Sequence, residues 1–236
     1  AIPRNLVAVA RLRARRGRLL GALELLERAR SQAERAGNRE IEPALHLERG
    51  LIHLLRDDVP RAYVELQAGL ARAEEQHQPE RIGRLLQALS RALLSAASVG
   101  ESLPPCARAQ ELFESIQFRR GLGENYLLRG RIALAAGDPP GAAKYFEFAQ
   151  RELRAVGAPW RLSAVHLAVA ELQIARGQSA EAARSLDEAE LLARAVDDQA
   201  NLSAAFALRA RARRAAGDEP GAARLLEQAS AALDRG

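Results

Sequence analysis

Residues 122–157, LGENYLLRGRIALAAGDPPGAAKYFEFAQRELRAVG, contain one complete unit of the pattern that decides the fold. A helix-breaking residue, Gly137, divides the stretch near its middle. After it come Ala142, Phe146 and Ala149, which are a small, a large and a small residue at spacing i, i+4, i+7. Residues with that spacing lie on one face of a helix. The stretch therefore predicts two helices that are joined at Gly137 and packed through a stripe of small residues around one large side chain.

The same helix breaks recur along the chain at a fixed spacing. Two breaks in every 40 residues predict two helices of about 15–18 residues in each repeat. We expect breaks in the middle of the repeats near residues 17, 57, 97, 137, 177 and 217. Breaks between repeats are marked by Gly37, His77, Gly157 and Asp197.

Small and large side chains recur with the same 40-residue period. Small residues on facing helices let the backbones approach closely, and the large residue fills the gap between repeats. A small residue stands seven positions before each mid-repeat break, at Ala10, Gly50, Ser90, Gly130, Ala170 and Ala210. A large residue stands nine positions after it, at Leu26, Leu66, Phe146, Leu186 and Leu226.

These positions resemble the tetratricopeptide repeat, whose pattern has small residues at its eighth, twentieth and twenty-seventh places and a large one at its twenty-fourth. The period of 40 residues exceeds the 34 of that family, and its usual aromatic residue at the fourth place is present only as Tyr126 and Phe206. Repeats of this length are similar to those of kinesin light chains and of large bacterial transcription regulators such as the maltose-regulon activator.

The resemblance implies an all-α fold, a right-handed superhelical stack (α-solenoid) of about six helix–turn–helix repeats. It implies one domain over residues 1–236. The expected repeats cover residues 1–37, 38–77, 78–118, 119–157, 158–197 and 198–236.

The third repeat departs from the pattern after Ser98. Residues 99–105 read VGESLPP, and the stripe resumes only at Ala109 and Phe113. Since the next repeat is back in register, we expect that the second helix of this repeat loses about two turns to a loop at 98–105. Such a loop is either a tolerated irregularity, because loops accept change at low cost, or a hinge or docking loop.

Composition supports packed helices in a reducing compartment. The chain is 48% hydrophobic but only 4% aromatic, so its core is built from Ala and Leu, which are strong helix formers. A single cysteine, Cys106, excludes an internal disulfide. No apolar run approaches the ~18 residues of a membrane span, and no signal peptide opens the chain. We therefore expect a cytoplasmic domain, cut from a longer protein because the initiator Met is missing.

The residues capable of catalysis or metal binding do not form a recognisable catalytic, metal or cofactor site in the sequence, and no such site is predicted. His46 and His53 share a helix face with Glu42 at metal-ligand spacing, but a half-buried packing role is the better interpretation of His46. Cys106 has either a lowered pKa at a helix start or the role of an inert small residue, which we favour. Trp160 is interpreted as a packing residue between repeats, with a ligand platform as the alternative.

The concave face is the candidate binding surface. In tetratricopeptide stacks the second, fifth, ninth and twelfth places of the first helices point into it. Guanidinium groups there bind carboxylates or phosphates bidentately. Alternatively, these arginines are ordinary solvated charges or pair with Glu48, Glu124 or Glu171. The predicted partner-binding residues are Arg11, Arg84, Arg91, Arg131, Arg211, Leu47, Leu127 and Leu167.

An apolar floor with arginines along it predicts a protein or peptide partner that is acidic or amphipathic. The Arg-rich run 11–18 is a weaker indication of nucleic-acid binding, because it lacks interleaved aromatic residues and ends a helix, where cations are favoured anyway. We therefore expect neither a nucleic acid nor a membrane as the partner. The family's carboxylate clamp for chaperone tails needs Lys and Asn at places that hold other residues here.

Two classes of function follow from this surface. The favoured one is a non-catalytic protein–protein interaction scaffold that binds a peptide or partner domain in its concave groove. The alternative is the sensor or regulatory segment of a larger cytoplasmic transcription regulator, which needs one enclosed pocket with converging polar groups.

Overall fold

The computed structural model describes residues 2–234, and these residues contain twelve α-helices, one short 3-10 helix at Arg39–Ile41 and no strand. The predicted all-α solenoid of helix–turn–helix repeats is confirmed. Residues 1, 235 and 236 of the first and last predicted repeats lie outside the described part of the chain. The helices are α1 (Ile2–Arg15), α2 (Leu19–Arg35), α3 (Glu42–Leu55), α4 (Val59–Glu75), α5 (Pro79–Ser95), α6 (Val99–Ser115), α7 (Arg119–Ala135), α8 (Pro139–Ala155), α9 (Pro159–Ala175), α10 (Ser179–Ala195), α11 (Gln199–Ala215) and α12 (Glu219–Asp234).

Every turn between the helices contains one residue with positive φ, and these residues are 20 positions apart. In the turn after α7, the N–H of Gly137 donates to Leu134 O at 3.0 Å and the N–H of Asp138 to Ala133 O at 2.8 Å. This is a Schellman motif, in which a left-handed residue closes the helix. The left-handed residues are Gly17, Gly37, Asp57, His77, Ala97, Gln117, Gly137, Gly157, Gly177, Asp197 and Gly217. All predicted breaks are confirmed, and Gln117 supplies one that the sequence does not mark.

The even-numbered helices bury the predicted stripe against the odd-numbered ones except at Leu226 in the last helix, which is 42% exposed, and the sizes of facing residues are matched. A Cβ on Gly130 would lie 2.3 Å from Phe146 Cε1, and one on Gly50 would lie 2.6 Å from the Leu66 side chain. The repeats with Leu26 and Leu186 have alanine, Ala10 and Ala170, in the facing position. The largest side chain therefore faces the smallest residue.

The predicted loop at 98–105 is wrong, because these residues enter a full-length helix, α6 (Val99–Ser115), with Pro104 and Pro105 inside it. The stripe is also in register, with Ser102 and Cys106 buried as are Ala109 and Phe113. Proline has a φ that suits a helix, but it lacks the N–H and its ring crowds the carbonyl of the residue four positions earlier.

The hydrogen bonds lost at the two prolines would have reached the carbonyls of Gly100 and Glu101. Both residues are exposed in the first turn of α6, so a carbonyl that loses its helical hydrogen bond there is open to solvent. The side chain of Asn125 on α7 then holds the helix by donating to the Cys106 carbonyl at 2.9 Å.

The arrangement of the layers places the groove. Successive odd-numbered helices contact one another along the whole described stack, whereas each even-numbered helix contacts mainly the odd-numbered helices beside it. The odd-numbered helices therefore form the inner, concave layer and the even-numbered helices the outer one. Between residues 2 and 234, no helix combines the length and hydrophobicity that crossing a membrane requires.

The size match between Gly130 and Phe146 predicts that a second substitution restores the stability lost through the first. We expect Gly130→Ala to destabilise the protein by about 1–3 kcal/mol, because the added methyl group collides with the Phe146 ring. Adding Phe146→Leu should restore most of this loss, since Ala with Leu is the pair found in two sister repeats. Urea unfolding followed by circular dichroism measures both variants.

Gly100 is the matched control for this experiment. It lies in a helix with nothing within 4 Å of an added Cβ, so Gly100→Ala should cause no loss of stability. Additive effects of the Gly130 and Phe146 changes would contradict the size match.

Candidate functional site

A pocket of about 190 Å³ lies in the middle of the concave face, between α1, α3, α5, α7 and α9. We call it the central groove. It brings together five of the predicted site residues, and leaves Arg131, Arg211 and Leu167 outside its lining. Its lining residues are Arg11, Leu47, Glu48, Leu51, Arg84, Gln87, Ala88, Arg91, Arg120, Glu124, Leu127, Leu128, Trp160 and Arg161. A wider depression of about 870 Å³ is lined by α2 alone, and one helix face cannot enclose a ligand.

The two carboxylates of the central groove are both neutralised by arginines. Arg11 donates from Nε to Oε1 of the buried Glu48 at 2.8 Å, and Arg161 donates from Nε to Glu124 at 2.8 Å. Each pair joins two neighbouring odd-numbered helices. The predicted alternative of paired arginines therefore describes Arg11, and Glu124 has its partner in Arg161, which the sequence did not predict as a site residue.

Arg91 and Arg120, in contrast, have no ion pair or hydrogen bond with any side chain in the described residues. Arg91 is half-buried on α5, with Arg131 and Arg161 close enough to repel it. Burial and these two like charges lower the pKa of Arg91 to about 10, and Glu124 opposes them only in part. At neutral pH the groove thus holds a protonated cation that lacks a counterion.

Arg131 lies on α7 and extends the same charged row. Its side chain is exposed and has no ion pair within residues 2–234. Desolvation inside the curve of the stack lowers its pKa; Glu171 opposes this shift and Arg161 adds to it. Glu171 itself pairs with Arg211, at 3.3 Å and in an exposed position, so Arg211 is occupied by a partner.

The floor of the groove is apolar. Leu47 and Leu127 are buried, with 4% and 7% of their surfaces exposed, so they present only a narrow strip to a ligand. Leu167 is equally buried but packs with Leu186 in a separate part of the core. Gln87 adds a polar group, because its Nε2 atom is buried without a hydrogen-bond partner in the part of the chain described.

The edge of the groove contains residues that the sequence analysis did not place there. The guanidinium of Arg161 lies over the ring of Trp160, 4.0 Å from its centroid, and Arg120 lines the same edge. All three belong to the first turn of α7 or α9. A repeat of 40 residues lengthens these helices by a turn that the 34-residue family pattern does not number, and this turn reaches the groove. Reading the first turn of each long helix would have found them.

The predicted metal-ligand spacing on α3 is occupied by other contacts. His46 Nδ1 lies 2.8 Å from Glu65, His53 Nδ1 lies 3.7 Å from Asp58, and Glu42 Oε2 lies 3.5 Å from Arg72 Nε. The residues described include no group of three or more His, Cys, Asp or Glu side chains able to hold a metal ion. His46 therefore has a side-chain hydrogen-bonding contact with Glu65 in addition to the packing role expected of it.

Cys106 is far from a helix start, since it lies in the middle of α6 and is fully buried. Burial raises the pKa of its thiol to about 11, and the hydrogen bond from Sγ to Asn125 Oδ1 at 3.3 Å opposes this only in part. The thiol is therefore protonated at neutral pH and unreactive, which agrees with the favoured interpretation of an inert small residue.

Solved structures of helical-repeat proteins share this fold. BtubC (BKLC) from P. vanneervenii has a TM-score of 0.64 at 14% identity, over 98% of this chain and 91% of that one. A Rap protein complexed with competence and sporulation factor has a TM-score of 0.78 at 11% identity, over 97% of this chain and 75% of that one. Kinesin light chain TPR-like repeats from Podosopora anserina have a TM-score of 0.51 at 18% identity, over 81% of this chain and 95% of that one.

These likenesses show the fold alone, which is that of TPR-like helical-repeat proteins. The similarity to kinesin light chain repeats is confirmed at this level. The similarity to the maltose-regulon activator stays a prediction. No protein-family model matches the chain, and no curated protein sequence is significantly similar to it.

The contrast between paired and unpaired arginines predicts opposite effects on stability. Arg91→Gln should leave the free energy of unfolding within about 0.5 kcal/mol of the parent or raise it, because it removes like-charge repulsion and no contact. Arg11→Gln should lower it by about 1–3 kcal/mol, because the buried Glu48 loses its partner. Urea midpoints measure both, and an equal loss for Arg91→Gln would show that Arg91 has a structural contact instead.

Proposed function

We propose that the chain is a non-catalytic protein–protein interaction scaffold that holds an acidic or amphipathic segment of a partner in its concave groove. The observation that supports this most directly is the row of unpaired cations, Arg91, Arg120 and Arg131, beside an apolar floor. A segment with carboxylates on one face and apolar side chains on the other would satisfy both features. Arginine is suited to this role because its planar guanidinium binds carboxylates bidentately.

The length of the surface favours a macromolecular segment over a small effector. The lining comes from five odd-numbered helices, whereas the pocket volume of about 190 Å³ is below the ~300 Å³ of typical small-molecule pockets. A sensor segment of a larger regulator remains the second candidate function, and a small molecule that binds the groove tightly would support it.

The comparisons add a precedent for this use of the fold. The similar Rap protein was solved complexed with competence and sporulation factor, so a stack of this architecture accommodates a bound factor in that protein. Contacts run from each described helix pair to the next, which supports the proposal that the chain acts as a single domain.

The proposal predicts which arginines decide affinity. A random peptide library displayed on phage is first selected on the parent protein, and the enriched peptides should be rich in Asp and Glu. Charge reversal in Arg91→Glu/Arg131→Glu should then weaken the selected peptides more than about a hundredfold, because each lost charge contact costs about 2–5 kcal/mol. Fluorescence polarisation with labelled peptides gives the dissociation constants.

Arg28→Glu/Arg224→Glu is the matched control with the same change in net charge. Both residues are exposed on the outer layer, on α2 and α12, so their reversal should have little effect on affinity. Equal losses of affinity in the two double variants would mean that the peptides respond only to long-range attraction. A loss of affinity confined to the outer pair would show that the binding surface lies outside the groove.

A further inference from the structure

The charge of the central groove is larger than one carboxylate can neutralise. Five arginines and two glutamates line it, and Arg131 adds a cation beside it. Glu48 and Glu124 each neutralise one arginine, and Arg84 has a partner outside the lining, Glu80, at 3.0 Å. Arg91, Arg120 and Arg131 are left with three positive charges and no ion pair in the described residues.

These unpaired side chains come from neighbouring inner helices. Arg91 is on α5, and Arg120 and Arg131 are on α7, where they lie two and thirteen residues after Phe118, the last residue before the helix. Arg161 on α9 is held by Glu124 and by the face of Trp160, which fixes one wall of the pocket. A compact anion in the pocket would therefore meet guanidinium groups from two sides.

We propose that the central groove binds a phosphate-type dianion carried on the partner segment, as phosphoserine or phosphothreonine. This inference rests on the proposed function and names the group that the groove recognises. A phosphoryl group carries nearly two negative charges and three strong acceptor oxygens, so it matches the two unpaired guanidinium groups that line the pocket, Arg91 and Arg120. A single carboxylate has one charge and would leave most of the excess unmatched.

The mutual repulsion of the arginines agrees with this assignment. Arg91 has a lowered pKa because it is desolvated and faces Arg161 and Arg131. A dianion between these groups would attract the Arg91 guanidinium, and this attraction would raise the pKa of Arg91 back toward its ordinary value. Binding thus relieves an unfavourable interaction that is present in the unliganded protein.

Three synthetic peptide pools test the inference directly. They are 13 residues long with degenerate flanks and a fixed central phosphoserine, serine or glutamate. The phosphoserine pool should be retained by the immobilised protein about 10- to 100-fold better than the serine pool, as expected for one to three added charge-assisted hydrogen bonds. The glutamate pool should be retained much less well than the phosphoserine pool. Millimolar inorganic phosphate should displace the retained pool, whereas chloride at equal ionic strength should not.

Two double variants test whether the central groove is the site that binds the phosphoryl group. Arg91→Gln/Arg120→Gln should abolish the preference for phosphoserine, whereas Arg28→Gln/Arg224→Gln on the outer layer should keep it. Circular dichroism checks that each variant is folded, and the phosphate competition needs no variant. Retention of the phosphoserine preference by Arg91→Gln/Arg120→Gln would overturn the assignment to the central groove.

The pH dependence separates phosphate from carboxylate. The second pKa of a phosphoryl group is about 6, so affinity for a selected phosphopeptide should rise up to about tenfold from pH 5 to pH 7. The charged side chains facing the pocket are arginines and glutamates, and no histidine is among its lining residues to titrate in that range. Equal binding of the glutamate and phosphoserine pools would overturn the phosphate inference and leave the proposed function standing. Failure of all three pools would overturn both.

Discussion

The regular turn, with one left-handed residue every 20 positions, is the constraint on which the rest of the structure depends. Glycine adopts this conformation easily, but Asp57, His77, Ala97, Gln117 and Asp197 do so with φ between 51° and 59°. An L-residue loses about 1–2 kcal/mol there. The spacing is therefore maintained by the packing of equal-length helices and not by the turn residue alone. Because the period is constant, equivalent positions of every odd-numbered helix face the same groove.

Much of the fold could be predicted from sequence because the small residues are repeated in register. Gly130 and Gly137 illustrate the two signals: one allows close packing against Phe146, and the other closes a helix. The sequence failed at Pro104 and Pro105, since interior proline usually breaks a helix. The two prolines are tolerated because the carbonyls that lose their bonds are exposed, and Asn125 adds a long-range bond to the Cys106 carbonyl that a local pattern does not reveal.

The same distinction between local and long-range information applies to the candidate site. The repeat register placed Arg84 and Arg91 on the inner face without a structure. It could not show which arginines have partners, because Arg11 with Glu48 and Arg161 with Glu124 are each 37 residues apart in the chain. It also missed Trp160, which lies in a helical turn that exists only because these repeats are long.

The unpaired arginines have a cost that the remainder of the stack offsets. On the outer layer Arg108 pairs with Glu74. Arg209 of the inner helix α11 pairs with Asp187 and Glu190 of α10, so like charges are separated by opposite ones. On the concave face, Arg91 and Arg131 repel each other, and Glu124 offsets the repulsion at Arg91 only in part. The packed helices fix where these side chains leave the backbone, and an anion bound between them gains new contacts and removes part of the repulsion between Arg91 and Arg131.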